Sequence, residues 1–363
     1  MNNFKLLISL SFLFLLLACT KKRTTKPSVK TIIPDIENIN NEAISSRIKS
    51  LDKVIVLETK PECLISKIDK IEVCGNFIYI LDIELKTVFI FSQDGNFLYK
   101  IHNIGKGPGE FLSITDMTVN KNEVTIIDIL TQKKINYDTT GKLKNELRVF
   151  NEIWAMNIFY LNDELFYLND YSKSNSGRYR LFCINEEKKI DTFLSFDEEP
   201  DAILTDGYKY STIRDKASLI FTGCDTIFTI KNKVASPLLV VSQQAGDKKK
   251  FKISSINETD KELFLTLSRD QGDYVLIYNK NSGEYEIAKA LTELLKYNGR
   301  KIHFKRIINQ KLYQYVSADL FCRNYNINKN NKMTNIPLKQ RVDKIMHNYN
   351  SDSNPVVFVY DIQ

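Results

Sequence analysis

Six acidic residues recur at matching places in this 363-residue chain: Asp82, Asp128, Asp170, Asp225, Asp270 and Asp319 each stand where a strand-like run gives way to a loop. One carboxylate per repeated unit could present a ring of acceptors to a ligand. A plainer role competes with that one, because Asp ends strands well by bonding nearby backbone amides. Loops set away from a central axis also could not converge on a single ion. A second cluster, Gly105-Lys106-Gly107-Pro108-Gly109-Glu110, has the outline of a phosphate loop. It lacks the closing Gly-Lys-Ser/Thr, and Pro108 removes one of the backbone donors such a loop needs. Its glycines instead suit a crossing between units, with Phe111 plugging the gap. Lys106 and Glu110, together with the six Asp positions, make up the candidate binding face. His102, His303 and His347 sit in unrelated segments without ligand spacing. Cys63, Cys74, Cys183, Cys224 and Cys322 show no zinc-site spacing. Cys63 and Cys74 lie on neighbouring early segments and are the candidate disulfide, with buried thiols as the default for the others. No Gly-x-Ser-x-Gly elbow occurs, and no residue is assigned a catalytic role.

The elements that would carry these residues are short strands. Asn76 to Phe111 reads NFIYILDIELKTVFIFSQDGNFLYKIHNIGKGPGEF, with period-two alternation in Phe77–Leu81 and Val88–Phe91 and a turn at Gln93-Asp94-Gly95-Asn96. A shift of about 46 residues lays Ile80-Leu81-Asp82 on Ile126-Ile127-Asp128, Gly95 on Gly141 and Ile68 on Ile114. A repeat in this range, built of short strands and turns, points to a propeller. Further units are expected over 153–196, 208–241 and 250–290. A polar insertion, Ser172–Gly177, interrupts the first of them. The sixth unit has strands at Lys301–Ile308, Lys311–Ser317 and Asn354–Ile362, with an Asn/Lys-rich loop at Asn324–Asn335 and a helical spacing over Pro337–His347. It is one strand short, and Lys53–Glu58 has no unit of its own. Joining the two closes the ring and removes a sheet edge. The long insertion Phe321–Asn354 would overhang the candidate face as a partial lid.

Composition is that of an ordinary globular chain, 26% charged and 43% hydrophobic. The net charge of +7 is mild, and the signs are interspersed, so no nucleic-acid footprint is present. Residues 1–18 read as a signal peptide: Lys5, then an apolar run from Leu6 to Leu17 that is short for a membrane span. Leu16-Leu17-Ala18-Cys19 has the form of a lipobox, with Cys19 the lipidated residue. Residues 19–46 follow as tether and N-terminal extension, and 47–363 as the propeller.

Taken together, IYILD…KTVFIF…DGNFLYKI…GKGPGEF, GCDTIFTI, ETDKELFLTLS and NPVVFVY resemble the six-bladed β-propeller lipoproteins of Bacteroidota, which are related to NHL-repeat propellers. The resemblance spans residues 50 to 363 and implies an all-β, six-bladed propeller of four-stranded antiparallel blades, with a short helical insertion in the last blade. It implies an envelope location with a lipid anchor in the outer membrane. The exported members carry an acidic run behind the cysteine. Lys21, Lys22 and Arg23 stand there instead, favouring a periplasm-facing anchor over a surface-exposed one. The resemblance defines no biochemical role; the leading expectation is a non-catalytic binding or scaffold module for a glycan, peptide or protein partner, such as an envelope protein. The alternative is a propeller enzyme, a metal-assisted lactonase or hydrolase or a lyase, acting at the channel mouth. No cofactor is implied, and a divalent cation at the mouth is left open.

Cys19→Ala is expected to leave the precursor uncleaved and without acyl label in cells fed a labelled fatty acid. Normal labelling of that variant would end the lipoprotein reading.

Overall fold

The computed structural model describes residues 29–148, 155–169, 179–185, 187, 189–195, 207–243, 251–269, 272–292, 302–303, 305–328 and 336–363. Cys19, Asp170, Asp270 and the insertion 172–177 lie outside the described residues. Residues 31–363 form one unit, a ring of six antiparallel blades with four strands contributed per blade.

Blade one is Lys70–Cys74, Phe77–Asp82, Thr87–Ser92 and Phe97–Ile101; blade two is Asp116–Val119, Glu123–Asp128, Lys133–Asp138 and Leu143–Arg148. Blade three is Asn157–Leu161, Glu164–Leu168, Tyr179–Ile184 and Ile190–Ser195. Blade four is Tyr210–Ile213, Lys216–Leu219, Thr226–Lys231 and Val234–Val241, extended at its outer edge by Lys30–Ile32. Blade five is Lys252–Glu258, Glu262–Arg269, Gly272–Asn279 and Tyr285–Lys289. The middle strands are apolar on both faces, as in Thr87–Ser92, where five of six residues are buried. The reason is that each blade packs face to face on its two neighbours. Outer strands reach solvent and turn polar, as in Leu143–Arg148.

The core is correspondingly divided into seams between blades. Ile71, Ile80 and Phe89 of blade one meet Val357, Val359 and Tyr313 of blade six. Tyr79, Leu81 and Ile90 meet Ile126, Ile135 and Tyr137 of blade two, with Phe111 among them at 0% exposure. The crossing residue thus fills the gap between blades, as its position after the glycine loop predicts. Similar seams join blades two and three, three and four, four and five, and five and six.

Blade six closes the ring. Its strands are Arg306–Ile308, Lys311–Val316, Val356–Ile362 and, at the outer edge, Ile48–Val56. Val54 pairs with Phe358 and Val56 with Val356, so the two ends of the chain share one sheet. The early strand begins five residues before the Lys53 expected from sequence. Two register shifts, between Ile48 and Ser50 and between Leu51 and Lys53, carry it on through a stretch whose alternation they interrupt. Gly95, at φ +89°, lies against this junction. A Cβ there would come within 2.2 Å of the Val56 carbonyl oxygen.

The last blade carries two helices rather than one, α1 (Ala318–Asn328) and α2 (Ile336–Met346). The expected loop at Asn324–Asn335 is therefore helical up to Asn328. Phe321, Cys322 and Val342 pack into the seam between blades five and six, and the Phe321 ring meets Tyr349 edge-on at 5.5 Å. Tertiary burial of Phe321 and Cys322 overrides the weak helix propensity of the Asn-rich sequence.

Residues 31–46, within the stretch assigned to the tether and extension, run along the rim of blades four to six. Ile32 is buried against blades four and five. Asn40 N–H donates to the Ile287 carbonyl at 2.8 Å, and Ala43 and Ile44 enter the next seam. Arg47 then binds Glu262 at 3.0 Å and Glu286 at 2.5 Å. The Gln363 N–H donates to the Arg47 carbonyl at 2.9 Å.

Removing Pro355–Gln363 strips blade six of its third strand and leaves Lys311–Val316 and Ile48–Val56 as bare edges. Aggregation or loss of a cooperative melt is expected, and a melt like that of the full chain would contradict closure. Phe111→Ala should cost about 3–5 kcal/mol in denaturant unfolding, the usual range for an aromatic removed from a packed core.

Candidate functional site

The first strand of every blade lines the central channel, and the chain enters each of them from the end that also bears the inter-blade crossings. At that end a cavity of about 530 Å³ opens, a size ordinary for a small-ligand pocket. Its wall takes residues from all six blades: Lys67 to Lys70, Thr115 and Asp116, Met156 and Asn157, Gly207 to Tyr210, Ser254 and Ser255, and Lys305 with Tyr315.

Beneath the opening, a charged and aromatic network plugs the channel. Lys70 Nζ donates to Asp116 Oδ1 at 2.8 Å, Asp116 Oδ2 at 3.1 Å and the Met117 carbonyl at 2.6 Å. Asp116 also accepts the Ile158 N–H at 2.8 Å. Complete burial pushes the Asp116 carboxyl above its ordinary range, with Lys70 working against that shift. Tyr210 donates its hydroxyl to Glu72 at 2.9 Å, and burial holds that phenol well above its usual value. Arg306 stacks on the Tyr208 ring, 4.1 Å from its centre, and donates to the Tyr210 carbonyl at 2.7 Å. Tyr208 accepts the Ile71 N–H at 3.1 Å through its hydroxyl. At the wall above, Lys305 Nζ lies 5.1 Å from the centre of the Tyr315 ring. Burial, reinforced by the nearby Lys67 charge, lowers the Lys305 pKa below the ordinary lysine value.

Of the carboxylates singled out in the sequence, Asp82, Asp128, Asp225 and Asp319 are described; each stands at or after the end of its blade's second strand, and none is on the cavity wall. Asp82 and Asp128 are fully buried and clamp backbone. Asp82 Oδ2 accepts the Ser66 N–H at 2.7 Å and the Lys67 N–H at 3.1 Å, and Oδ1 accepts the Leu85 N–H at 2.9 Å. Asp128 repeats this one blade on, accepting from Leu112 N–H at 2.7 Å, the Ser113 hydroxyl at 2.7 Å and Leu130 N–H at 2.9 Å. Each thus ties a crossing to the neighbouring hairpin, and the hydrogen bonds hold the Asp128 carboxyl below its usual range despite its burial. Asp225 is exposed and accepts the Thr226 hydroxyl. Asp319 is in the first turn of α1 and pairs with Arg323.

The glycine loop encloses a cation of its own chain. Lys133 Nζ, 2% exposed, donates to the carbonyls of Gly107 at 2.7 Å and of Lys106 and Glu110 at 3.3 Å, and pairs with Glu146 at 3.1 Å. Glu110 accepts the Gly107 N–H at 2.8 Å, while the Lys106 side chain is exposed. Of Asp82, Lys106, Glu110, Asp128, Asp225 and Asp319, none lines the cavity.

All five described cysteines are free thiols. The candidate Cys63–Cys74 disulfide is not formed: Cys63 is buried and donates to the Glu58 carbonyl at 3.1 Å. His102 bonds Thr87 through Nδ1 at 2.8 Å. Among the described residues no group of three His, Cys, Asp or Glu side chains is placed to hold a metal ion, and no helix is long and apolar enough to cross a membrane.

Sequence reasoning missed the cavity residues, though the repeat contained a clue. The same 46-residue step that aligns Ile80 with Ile126 lays Lys70 on Asp116, opposite charges at equivalent places on adjacent inner strands.

Comparison with known proteins agrees with this architecture. A crystal structure of a Bacteroides fragilis protein named as exported superposes with a TM-score of 0.70 at 17% identity, covering 92% of this chain and 99% of that one. A member of the duf4221 family from Bacteroides vulgatus superposes at 0.54 with 10% identity, covering 86% and 98%. At these identities the likeness is one of fold. No curated protein matches the chain. The model of a domain of unknown function, DUF4934, matches residues 31–361, from the start of the rim segment to the end of the closing strand, and the chain belongs to that family.

Proposed function

We propose that this protein is a lipid-anchored, non-catalytic propeller of the cell envelope, held in the outer membrane facing the periplasm, that captures a small glycan or peptide at its channel mouth. The observation that carries this reading is the cavity of about 530 Å³ to which all six blades contribute. A site assembled from six rigid inner strands is preorganised, so little ordering cost opposes binding. Its wall alternates hydroxyls and amides (Thr115, Asn157, Ser254, Ser255) with tyrosines and Met156. This is the mixture of hydrogen-bonding groups and flat apolar surface that suits a sugar ring or a peptide backbone. The leader and Cys19 support the envelope anchor.

Met156→Trp places a bulky ring at the mouth without touching the Lys70–Asp116 plug. In a native mass-spectrometry screen of the full chain against oligosaccharide and peptide panels, the variant should lose about tenfold or more in affinity. Its melting temperature should stay within about 2 °C of the parent. A ligand captured equally well by both proteins would overturn the mouth as the binding site.

A further inference from the structure

Four lysines, Lys67, Lys70, Lys209 and Lys305, line the mouth against three carboxylates, Asp69, Asp116 and Asp273. Two of those acids are committed. Asp69 pairs with Lys67 at 2.7 Å and gives its other oxygen to the Ile83 N–H. Asp116 is saturated by Lys70 and the Ile158 N–H. Lys305 forms no ion pair with any described residue, Asp273 included, and its ammonium rests on the face of Tyr315. Arg306, the next residue in the chain, is 3% exposed and likewise has no carboxylate partner among the described residues. Its guanidinium lies between the rings of Tyr208 and Tyr210, one carbonyl accepts from NH1, and Nε has no hydrogen-bond partner. Two adjacent cations therefore stand on and just behind the wall of an open cavity, with aromatic faces in place of counter-ions.

A buried charge without a counter-ion is unfavourable, and an anion entering the cavity would relieve that penalty. The depressed Lys305 pKa is consistent with the same imbalance. The Ser255 hydroxyl is on the same wall and accepts the Tyr208 N–H at 3.2 Å, which leaves its proton as a neutral donor beside the charge. We infer that the mouth is an oxyanion site, in which the Lys305 ammonium, backed by the Arg306 guanidinium, receives the carboxylate or phosphate of a small polar ligand. The inference rests on the mouth being the capture site and adds the chemical class of what is captured: an acidic sugar or a phosphorylated one, not a neutral chain.

The test titrates the purified full chain with glucuronate, inorganic phosphate and glucose at constant ionic strength, read by calorimetry. Saturable binding of at least one anion is expected, with glucose at least about tenfold weaker. Preference for glucuronate identifies the carboxylated sugar as the source of the oxyanion, and preference for phosphate identifies the phosphorylated one. Lys305→Gln should weaken anion binding about tenfold or more, and Lys305→Arg should restore it to within about threefold. Because the site is uncompensated, Lys305→Gln should melt no lower than the parent in the absence of ligand. Independently of any variant, the NMR signal of isotopically methylated Lys305 should shift on saturation with the preferred anion. Failure of both anions to bind, or equal anion affinity in Lys305→Gln, overturns the oxyanion site. If Met156→Trp still abolishes capture of a neutral ligand in that case, the mouth remains the capture site and only its anionic character falls.

Discussion

A ring of separate blades holds together only when its last blade is complete, and this chain meets that demand by lending its early strand to that blade. Ile48–Val56 on Val356–Ile362 is the pairing on which everything else hangs. It keeps blade six at four strands, brings blade six into register against blade one through Val357, Val359 and Phe89, and so holds the inner strands in a closed circle. Only a closed circle places Lys67, Asp116, Tyr208, Ser254 and Lys305 around one opening. Gly95 is tied to the same junction, because its missing side chain is what lets the first blade approach the Val56 carbonyl.

Within that circle, polar groups divide into two sets with opposite habits. Asp82, Asp128 and Lys133 are buried and satisfied by backbone, each holding a crossing or a loop in place. Such groups stabilise one arrangement over its alternatives, since breaking any bond would strand a buried charge. Around the channel the balance differs. Lys70 and Asp116 are mutually satisfied, but Lys305 and Arg306 rest on tyrosine faces. Cation–π contact returns only part of what a carboxylate would. The first set builds the scaffold, and the second leaves an electrostatic demand at the channel mouth.

The parts of this fold that were legible in sequence are those that repeat. Ile80-Leu81-Asp82 and Ile126-Ile127-Asp128 show their equivalence because strand ends and turn glycines recur at a constant step, and the missing strand of the last unit followed from counting. Legibility ended where a feature depends on a single copy. The helix from Ala318 ends in a stretch with three asparagines, Asn324, Asn326 and Asn328, that reads as loop, and it persists because Phe321 and Cys322 find a seam to fill. The cavity is drawn from all six blades, over some 250 residues and one or a few from each stretch, so no local window contains it. Asp82 and Asp128 were visible as a matched pair, yet sequence could not distinguish an acid that binds amides from one that faces a ligand. The distinction lies in whether the Ser66 and Leu112 N–H groups point at them.

The shared last blade also orders events in time. Five blades can form from contiguous sequence, each against the one before, but the sixth cannot be completed until Val356–Ile362 has been made and has found a strand some 300 residues upstream. Until then Ile48–Val56 and Lys311–Val316 both lack their partner strand, and the cost of bringing the ends together grows only slowly with the length of chain between them. Pairing at such separation is characteristically late and slow. The channel mouth, whose wall needs blade six beside blade one, therefore comes into being in the last step of folding, together with the pairing of Lys311–Val316 and Ile48–Val56 to the closing strand.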